Sequence, residues 1–296
     1  MKKLLRGGFV VTPRGSRRAD VLLDGEKIAQ VGHISPAEAK SAEVTDVSGC
    51  YLFPGFIDAH THFDLDVCNT TTADDFASGT RSAIRGGTTT IIDFACPNKG
   101  ETLAYGLDLW HKKADGKCSC DYGFHMTIDD WNEGIEGELD DMFAAGITSF
   151  KMYLPSPAMM IGDEAMFHAL REMKRLGGIV GVHCENAGMI DALIAEKKAA
   201  GALSPASHPL CRPAEAEAEA VGRLLKLARV ADVPVMIVHL STAAALHLEC
   251  AIPNFVIHEH HTYALSPYNK ELCIHDYQPV NGKFSVPDLP GLGNEL

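Results

Sequence analysis

Histidine and lysine side chains at the ends of apolar runs are the residues of this chain best suited to hold a metal ion. His60 and His62 follow the run GFIDA two positions apart, so in a strand both rings point to the same side. Such a pair can bind one ion, although HxH is also an ordinary polar strand end. Lys151, His183 and His239 each follow a further apolar run. Because these side chains are costly in apolar surroundings unless paired or ligated, the repeated pattern predicts a metal site.

The densest histidine cluster, His258-Glu259-His260-His261, is a second candidate. Successive side chains of a strand point to opposite faces, so His258 and His260 share one side while Glu259 and His261 share the other. Only part of this cluster could bind a single ion, and we favour the dispersed set. One hypothesis remains for the cluster. If it forms a strand beside the others, Glu259 or His258 could supply a carboxylate or imidazole ligand that the dispersed set lacks.

Apolar β-rich runs recur six times from residue 51 onward, and helix-like segments separate several of them. The runs are GFIDAHT, TTTIIDFA, DYGFHMTI, TSFKMYL, IVGVHCE and PVMIVHLS. Strands that are apolar throughout are typical of a parallel sheet buried on both faces. The alternation predicts an α/β fold built as a (β/α) barrel, with a doubly wound sheet as the alternative. In a barrel the carboxyl ends of the strands form one face, where the histidine and lysine side chains would meet.

Local patterns also predict two helices and a hairpin. Residues 163–176 carry apolar side chains at helical spacing and are followed by Gly177-Gly178, so a helix should end there. Residues 213–230 begin with a proline and three glutamates, which favour the first turn of a helix. Near the N-terminus, Asp24-Gly25 lies between apolar runs and predicts a hairpin, so residues 1–50 form a small β segment.

Composition limits the partners that the chain can have. The 296 residues carry a formal charge of −13 without a basic block, which argues against nucleic acid or an anionic membrane surface as a partner. No apolar run is long enough to predict a membrane span, and Arg6 and two glycines interrupt the only signal-like start. Nine cysteines without a CxxC pair indicate free thiols, so we expect a cytoplasmic protein.

Ordered motifs over residues 3–245 resemble the dihydropyrimidinase/hydantoinase family of cyclic amidohydrolases. They are FPGFIDAHTHFDL, RGGTTTIIDF, WHKKADGKCSCDYGFHMTI, GITSFKMYL, GVHCENAGMI, the RP-x-E-x-E-x-EA stretch at 212–220 and VHLST at 238–242. The resemblance implies a TIM-type barrel, and it implies hydrolysis of a cyclic amide. The small-molecule substrate would be a cyclic ureide, either a 5-substituted hydantoin or a dihydropyrimidine, and the enzyme could be a homo-oligomer, since the family forms tetramers.

The resemblance also implies a binuclear zinc site. His60 and His62 would hold one ion, and His183 and His239 the other. Lys151 would be carboxylated on its amine and bridge both, because a carbamate offers two oxygens and a negative charge to two dications. Tyr153 corresponds to the family's tyrosine that contacts the substrate carbonyl.

The family pattern does not continue after residue 245. No counterpart is found for the family's aspartate that binds one metal and serves as general base, so the catalytic residue is unknown. Asp276 and Asp288, the only aspartates after residue 250, lie in no family motif. Instead IPNFVIHEHHTY and DYQPVNGKFSVPDLPGLG resemble the C-terminal end of galactonate dehydratase-like proteins of the enolase superfamily. The chain therefore reads as a chimera joined near residues 241–250, of natural, artefactual or engineered origin.

Three segments follow from the two resemblances. We expect the N-terminal part of a small β-sandwich at 1–50, a truncated amidohydrolase barrel at 51–245 and an enolase-superfamily-like tail at 246–296. The middle segment has about 195 residues, whereas a complete barrel takes about 250. An incomplete (β/α)8 barrel exposes sheet edges, so stability should be marginal and activity impaired. The alternatives are an inactive or partly folded remnant and, with less support, a fragment of a sugar-acid dehydratase.

Overall fold

A computed structural model describes residues 2–67 and 70–238 of the 296-residue chain. The predictions that concern His239, the join near 241–250 and the tail with His258 and Glu259 lie outside the described residues. None of the described helices is both long and apolar enough to cross a membrane.

The N-terminal segment forms a five-stranded sheet. Its strands are β1 (Lys2–Thr12), β2 (Gly15–Asp24), β3 (Lys27–Gly32), β4 (Glu43–Asp46) and β5 (Tyr51–Leu52). The order is β3-β2-β1-β4, and β5 also pairs with β1. The predicted hairpin is confirmed, because Asp24 pairs with Lys27 across the β2–β3 turn. Gly25 in this turn has a φ of +60°, a conformation that glycine adopts without steric cost.

Strands and helices alternate along the rest of the described chain. They are β6 (Phe56–Thr61), β7 (Asp66–Val67), β8 (Thr70–Thr71), α1 (Phe76–Arg85), β9 (Thr88–Ala95), α2 (Leu103–Ala114), β10 (Asp121–Thr127), α3 (Glu133–Ala144), β11 (Ser149–Tyr153), α4 (Asp163–Leu176), β12 (Ile179–His183), α5 (Ala187–Ala199), α6 (Ala214–Ala231) and β13 (Val235–Val238). Two 3-10 turns lie between α5 and α6, at Pro205–Ser207 and Pro209–Cys211.

All six strands predicted from the apolar runs are present. They form one sheet in the order β6-β9-β10-β11-β12-β13, so each strand lies beside its successor along the chain. The pairs β10–β11, β11–β12 and β12–β13 are parallel. Parallel strands in sequence order with helical connections are the arrangement of a (β/α) barrel, whereas a doubly wound sheet reverses its order at a switch point.

The described chain divides into two compact units. The first contains Met1–Phe63, Ala73–Ile92 and Lys117–Gly123, and the second contains the remaining described residues. In the first unit, α1 begins with a reciprocal cap. Asp75 accepts a hydrogen bond from the Ser78 backbone N–H at 2.7 Å, and the Ser78 hydroxyl accepts one from the Asp75 N–H at 3.1 Å. The predicted domain boundaries at residues 50 and 245 stay predictions.

Strand β6 departs from the prediction that every barrel-type strand is buried on both faces. Phe56 is 52% exposed and Ile57 is 66% exposed. The prediction was wrong for this strand because β6 is the end strand of the sheet among the described residues. An end strand has a neighbour on one side only, so its apolar composition does not guarantee burial.

Helix packing in the second unit follows the sequence pattern closely. Helix α4 spans the predicted residues, and Met166, Leu170 and Met173 are buried at its helical spacing. Gly177 ends the helix in the left-handed conformation at φ +75°, where glycine carries no Cβ penalty. Helix α6 begins at Ala214, with Pro213 at its N-cap, one residue later than predicted.

Candidate functional site

His60 and His62 form a close pair in the first unit. His60 lies one residue before the end of β6, and His62 follows the strand directly. Their Nε2 atoms are 3.2 Å apart, and the rings meet edge-on with centroids separated by 5.0 Å. Two nitrogen ligands at about 2.0–2.1 Å from one tetrahedral zinc ion lie about 3.4 Å from each other. The pair is therefore spaced as two ligands of one ion, a separation that an N–H···N hydrogen bond also gives.

Lys151 lies at the centre of β11 in the second unit and is 1% exposed. Its backbone pairs with Thr127 on β10 and with Gly181 on β12. The Nζ atom lies 5.6 Å from the centre of the Phe94 ring and 5.1 Å from that of Tyr153. The buried side chain therefore ends close to two aromatic rings at the middle of the parallel strands.

Tyr153 ends β11 and is the neighbour of His183 in the sheet register. The two rings are 6.1 Å apart between centroids. Burial raises the pKa of the Tyr153 phenol above its ordinary value, and electrostatic interactions with Cys96 and Asp129 act in the same direction. The phenol therefore keeps its proton and can act as a hydrogen-bond donor.

His183 ends β12 and contacts a carboxylate that is itself paired with arginine. The His183 Nε2 lies 2.8 Å from the Glu185 Oε2, and Arg212 donates from its guanidinium to the same oxygen. Glu185 is 14% exposed at its side chain. Burial works to raise the pKa of Glu185, but the hydrogen bonds from His183 and Arg212 outweigh it and leave that pKa below its ordinary value.

A buried carboxyl and a part-buried thiol lie near Tyr153. Asp129 follows β10, is 7% exposed, and its Oδ1 has no hydrogen-bond partner among the described residues. Burial raises the pKa of Asp129 to about 7, although the Lys99 ammonium works in the opposite direction. Burial, followed by the charge of Asp129, raises the pKa of Cys96 to about 12, so this thiol stays protonated at neutral pH.

The predicted metal ligands fall into two groups. His60 and His62 lie together in the first unit, whereas Lys151 and His183 lie on adjacent strands of the second. His239, the fifth predicted ligand, follows the last described residue. Within the described ranges no cluster of three or more histidine, cysteine, aspartate or glutamate side chains could by itself hold a metal ion.

Glu185 and Arg212 are residues of the candidate site that the sequence patterns did not indicate. Glu185 is two positions after His183, which is the spacing of side chains on one face of an extended segment. Arg212 is part of the RP-x-E-x-E-x-EA stretch, which contributed to the family resemblance but did not indicate what the arginine does. The spacing to His183 was the available signal for Glu185, and only the folded chain shows its pairing with Arg212.

Comparison with known proteins identifies the family to which this fold belongs. The model of the amidohydrolase family matches residues 51–209. The chain is 41% identical over 251 residues to a D-hydantoinase of Streptomyces coelicolor, covering 83% of this chain and 53% of the relative. It is 42% identical over 248 residues to a D-hydantoinase of Geobacillus stearothermophilus, covering 83% and 52%. The crystal structure of dihydropyrimidinase from Brevibacillus agri superposes with a TM-score of 0.81 at 43% identity, covering 85% and 54%.

The chain belongs to the amidohydrolase family, and its resemblance to the hydantoinase/dihydropyrimidinase group is confirmed. The predicted fold class, an incomplete α/β barrel, is confirmed by the same structural likeness. The chain spans about half the length of the curated relatives it matches. A second model, enolase C-terminal domain-like, matches residues 218–296 and agrees with the predicted resemblance of the tail.

Proposed function

We propose that this chain hydrolyses a cyclic amide with the help of two zinc ions. The substrate would be a cyclic ureide, either a 5-substituted hydantoin or a dihydropyrimidine. The observation that carries the proposal is the pair His60–His62, whose Nε2 atoms lie 3.2 Å apart in a chain about 41% identical to D-hydantoinases. When bound, the ions supply Lewis-acid activation of a water molecule and of the ring carbonyl.

The chemistry of the predicted ligands suits divalent ions, because imidazole nitrogens and carboxylate-type oxygens both bind zinc. His60 and His62 would hold one ion, and His183 with His239 the other. Lys151 would bridge them as a carbamate, formed when its neutral amine adds carbon dioxide and releases a proton. Lys151 is 1% exposed, and a buried ammonium is costly unless it is paired or ligated. A carbamate replaces that positive charge by a negative one and provides two oxygen ligands.

Tyr153 would orient the substrate. Its pKa is raised by burial, so the phenol donates its proton in a hydrogen bond and does not compete as an anion for the metal. A donor aimed at a carbonyl oxygen stabilises the negative charge that develops there when the amide is attacked. We therefore assign Tyr153 to the substrate carbonyl.

We further propose that turnover is impaired. The sequence offers no counterpart of the aspartate that serves the family as metal ligand and general base, and loss of a general base typically costs about 10²–10⁴-fold in rate. The alternative is an inactive or partly folded remnant. The match of the enolase C-terminal domain-like model to 218–296 is the one observation that favours a sugar-acid dehydratase fragment. Cytoplasmic location and homo-oligomer formation remain predictions.

Zinc content and ring opening test the proposal together. The purified chain is loaded with zinc, the metal per chain is measured by atomic emission, and hydrolysis of hydantoin and dihydrouracil is followed. We expect close to two zinc ions per chain and slow turnover. A His60→Ala/His62→Ala variant should lose one ion, whereas His33→Ala, which replaces an exposed histidine of the first unit, should keep both. Fewer than one zinc ion in the unmodified chain would refute the site.

A further inference from the structure

We propose that Glu185 and Arg212 are positioning residues that orient the ring of His183 for metal binding. Glu185 holds the His183 Nε2–H, and Arg212 holds Glu185. The inference rests on the proposed role of His183 as a metal ligand and adds two residues that touch neither metal nor substrate. It is carried by three side chains in one hydrogen-bonded chain and by the backbone contacts that fix the segment between them.

The three side chains meet at one oxygen atom. The Glu185 Oε2 lies 2.8 Å from the His183 Nε2 and also accepts from the Arg212 guanidinium. All three side chains are at most about one-third exposed. A carboxylate in such surroundings is costly unless it is paired, and the arginine provides that pairing. Pairing with Arg212 thus stabilises the Glu185 carboxylate beside the histidine.

The backbone around Glu185 is tied to the first turns of α6. The Asn186 backbone N–H donates to the Ala216 carbonyl at 2.9 Å, and its side-chain Nδ2 donates to the Glu219 Oε2 at 2.7 Å. The Asn186 Oδ1 also accepts from the Met189 N–H at 3.0 Å and thereby caps α5. Arg212 lies just before α6, so both ends of the Glu185–Arg212 pair are anchored to the same helix. The position of Glu185 is therefore fixed by the backbone contacts of Asn186 with α6 and by the ion pair with Arg212.

A carboxylate at one nitrogen of an imidazole decides which nitrogen can bind a metal. A neutral ring has one N–H and one lone pair. If Nε2 carries the proton and donates to Glu185, the lone pair is on Nδ1, and the carboxylate makes that nitrogen more basic. Removing such a partner of a metal-bound histidine typically lowers metal affinity by about 10–100-fold. A merely structural ion pair would change stability without changing the tautomer of His183.

Three substitutions separate these roles. Glu185→Met removes the acceptor at similar size, Arg212→Met removes the pairing charge, and Arg212→Lys keeps the charge. Arg175→Gln is the matched control, because Arg175 pairs with two carboxylates of the same unit, the exposed Asp140 and the part-exposed Glu172. Each protein is measured for zinc affinity by competition with a chromophoric chelator. Its His183 tautomer is read without metal by ¹⁵N NMR of labelled histidine.

We expect the Nε2–H tautomer for His183 in the unmodified chain and a mixture in Glu185→Met. Zinc should bind about 10–100-fold more weakly to Glu185→Met and Arg212→Met, with partial recovery in Arg212→Lys and no change in Arg175→Gln. The double variant Glu185→Met/Arg212→Met should be no weaker than Glu185→Met alone, because both residues act through one contact.

The result that overturns the inference differs from the one that overturns the proposed function. If the unmodified chain binds no zinc, the proposed metal function fails, and the tautomer still decides the positioning role. An Nδ1–H tautomer in the unmodified chain, or zinc affinity and tautomer unchanged by Glu185→Met, would show that Glu185 does not orient His183. If Glu185→Met does not fold, as judged by circular dichroism, Arg212→Met and Arg212→Lys carry the same comparison.

Discussion

Asp129 should make the stability of the metal-free protein depend on pH in the direction opposite to an ordinary carboxylate. Its carboxyl is 7% exposed, and burial raises its pKa from the ordinary value of 3.8 to about 7. Between these pH values the folded state keeps a proton that the unfolded state has released. Folding stability from this group therefore falls as pH rises through the window, and the loss is complete above about pH 7.

The size of the effect follows from the two pKa values. At roughly 1.4 kcal/mol per pKa unit, the full difference costs about 4 kcal/mol. At pH 4.5 the unfolded carboxyl is already mostly ionised, so about 1 kcal/mol of this cost is present there. Between pH 4.5 and pH 8 the unmodified chain should thus lose about 3 kcal/mol relative to an Asp129→Asn variant, which has no ionisable group at this position.

Urea unfolding of both proteins at a series of pH values measures this difference. An amide in place of the carboxyl also changes hydrogen bonding, but that contribution does not vary with pH, so the slope isolates the ionisation. Asp140→Asn is the control of opposite sign, because hydrogen bonds from Arg175 lower the pKa of Asp140 and its charge stabilises the fold at neutral pH. A difference between Asp129→Asn and the unmodified chain that stays constant from pH 4.5 to 8 would refute the burial argument.

Two further predictions concern packing and the exposed strand. Leu170 is fully buried in α4, so Leu170→Ala should lower the free energy of unfolding by about 2–5 kcal/mol. Leu225→Ala, at a part-exposed position of α6, should lower it much less. Equal losses of stability in thermal melts of the two variants would contradict this prediction. Ile57→Lys should reduce self-association at the apolar end strand β6, because a lysine there disfavours pairing with a strand of a second molecule. A sedimentation coefficient that is unchanged by Ile57→Lys would show that β6 does not mediate association.

The strands and helices could be predicted because their signals are local. Each strand is a short apolar run, and α4 combines helical spacing of buried residues with a glycine that adopts φ +75° at its end. Burial of β6 could not be predicted in the same way. Its sequence is as apolar as that of the other strands, but burial depends on which segments lie beside it, and that is a property of the assembled sheet.

The histidines and the lysine of the candidate site could be predicted from the sequence because their signals are also local. The i, i+2 spacing of His60 and His62 predicts a shared side. A position after an apolar run predicts a strand end, which is correct for His183 but wrong for Lys151, because β11 continues for two residues beyond it. Arg212 is 27 residues from Glu185 along the chain, so no local pattern reports their contact. Such pairs depend on how α6 lies against the end of β12, and a sequence without its fold carries no direct sign of that.

The amidohydrolase match ends, and the enolase-like match begins, close to the start of α6. Helix α6 lies beyond the amidohydrolase match, which ends at 209, and partly inside the enolase-like match, which begins at 218. A helix followed by a parallel strand is the unit that every (β/α) barrel repeats. In this chain β13 keeps the parallel register with β12, from Val180 paired with Val235 to His183 paired with Val238. If the chain changes parent near 241–250, as its sequence predicts, the change follows β13 and leaves this register intact.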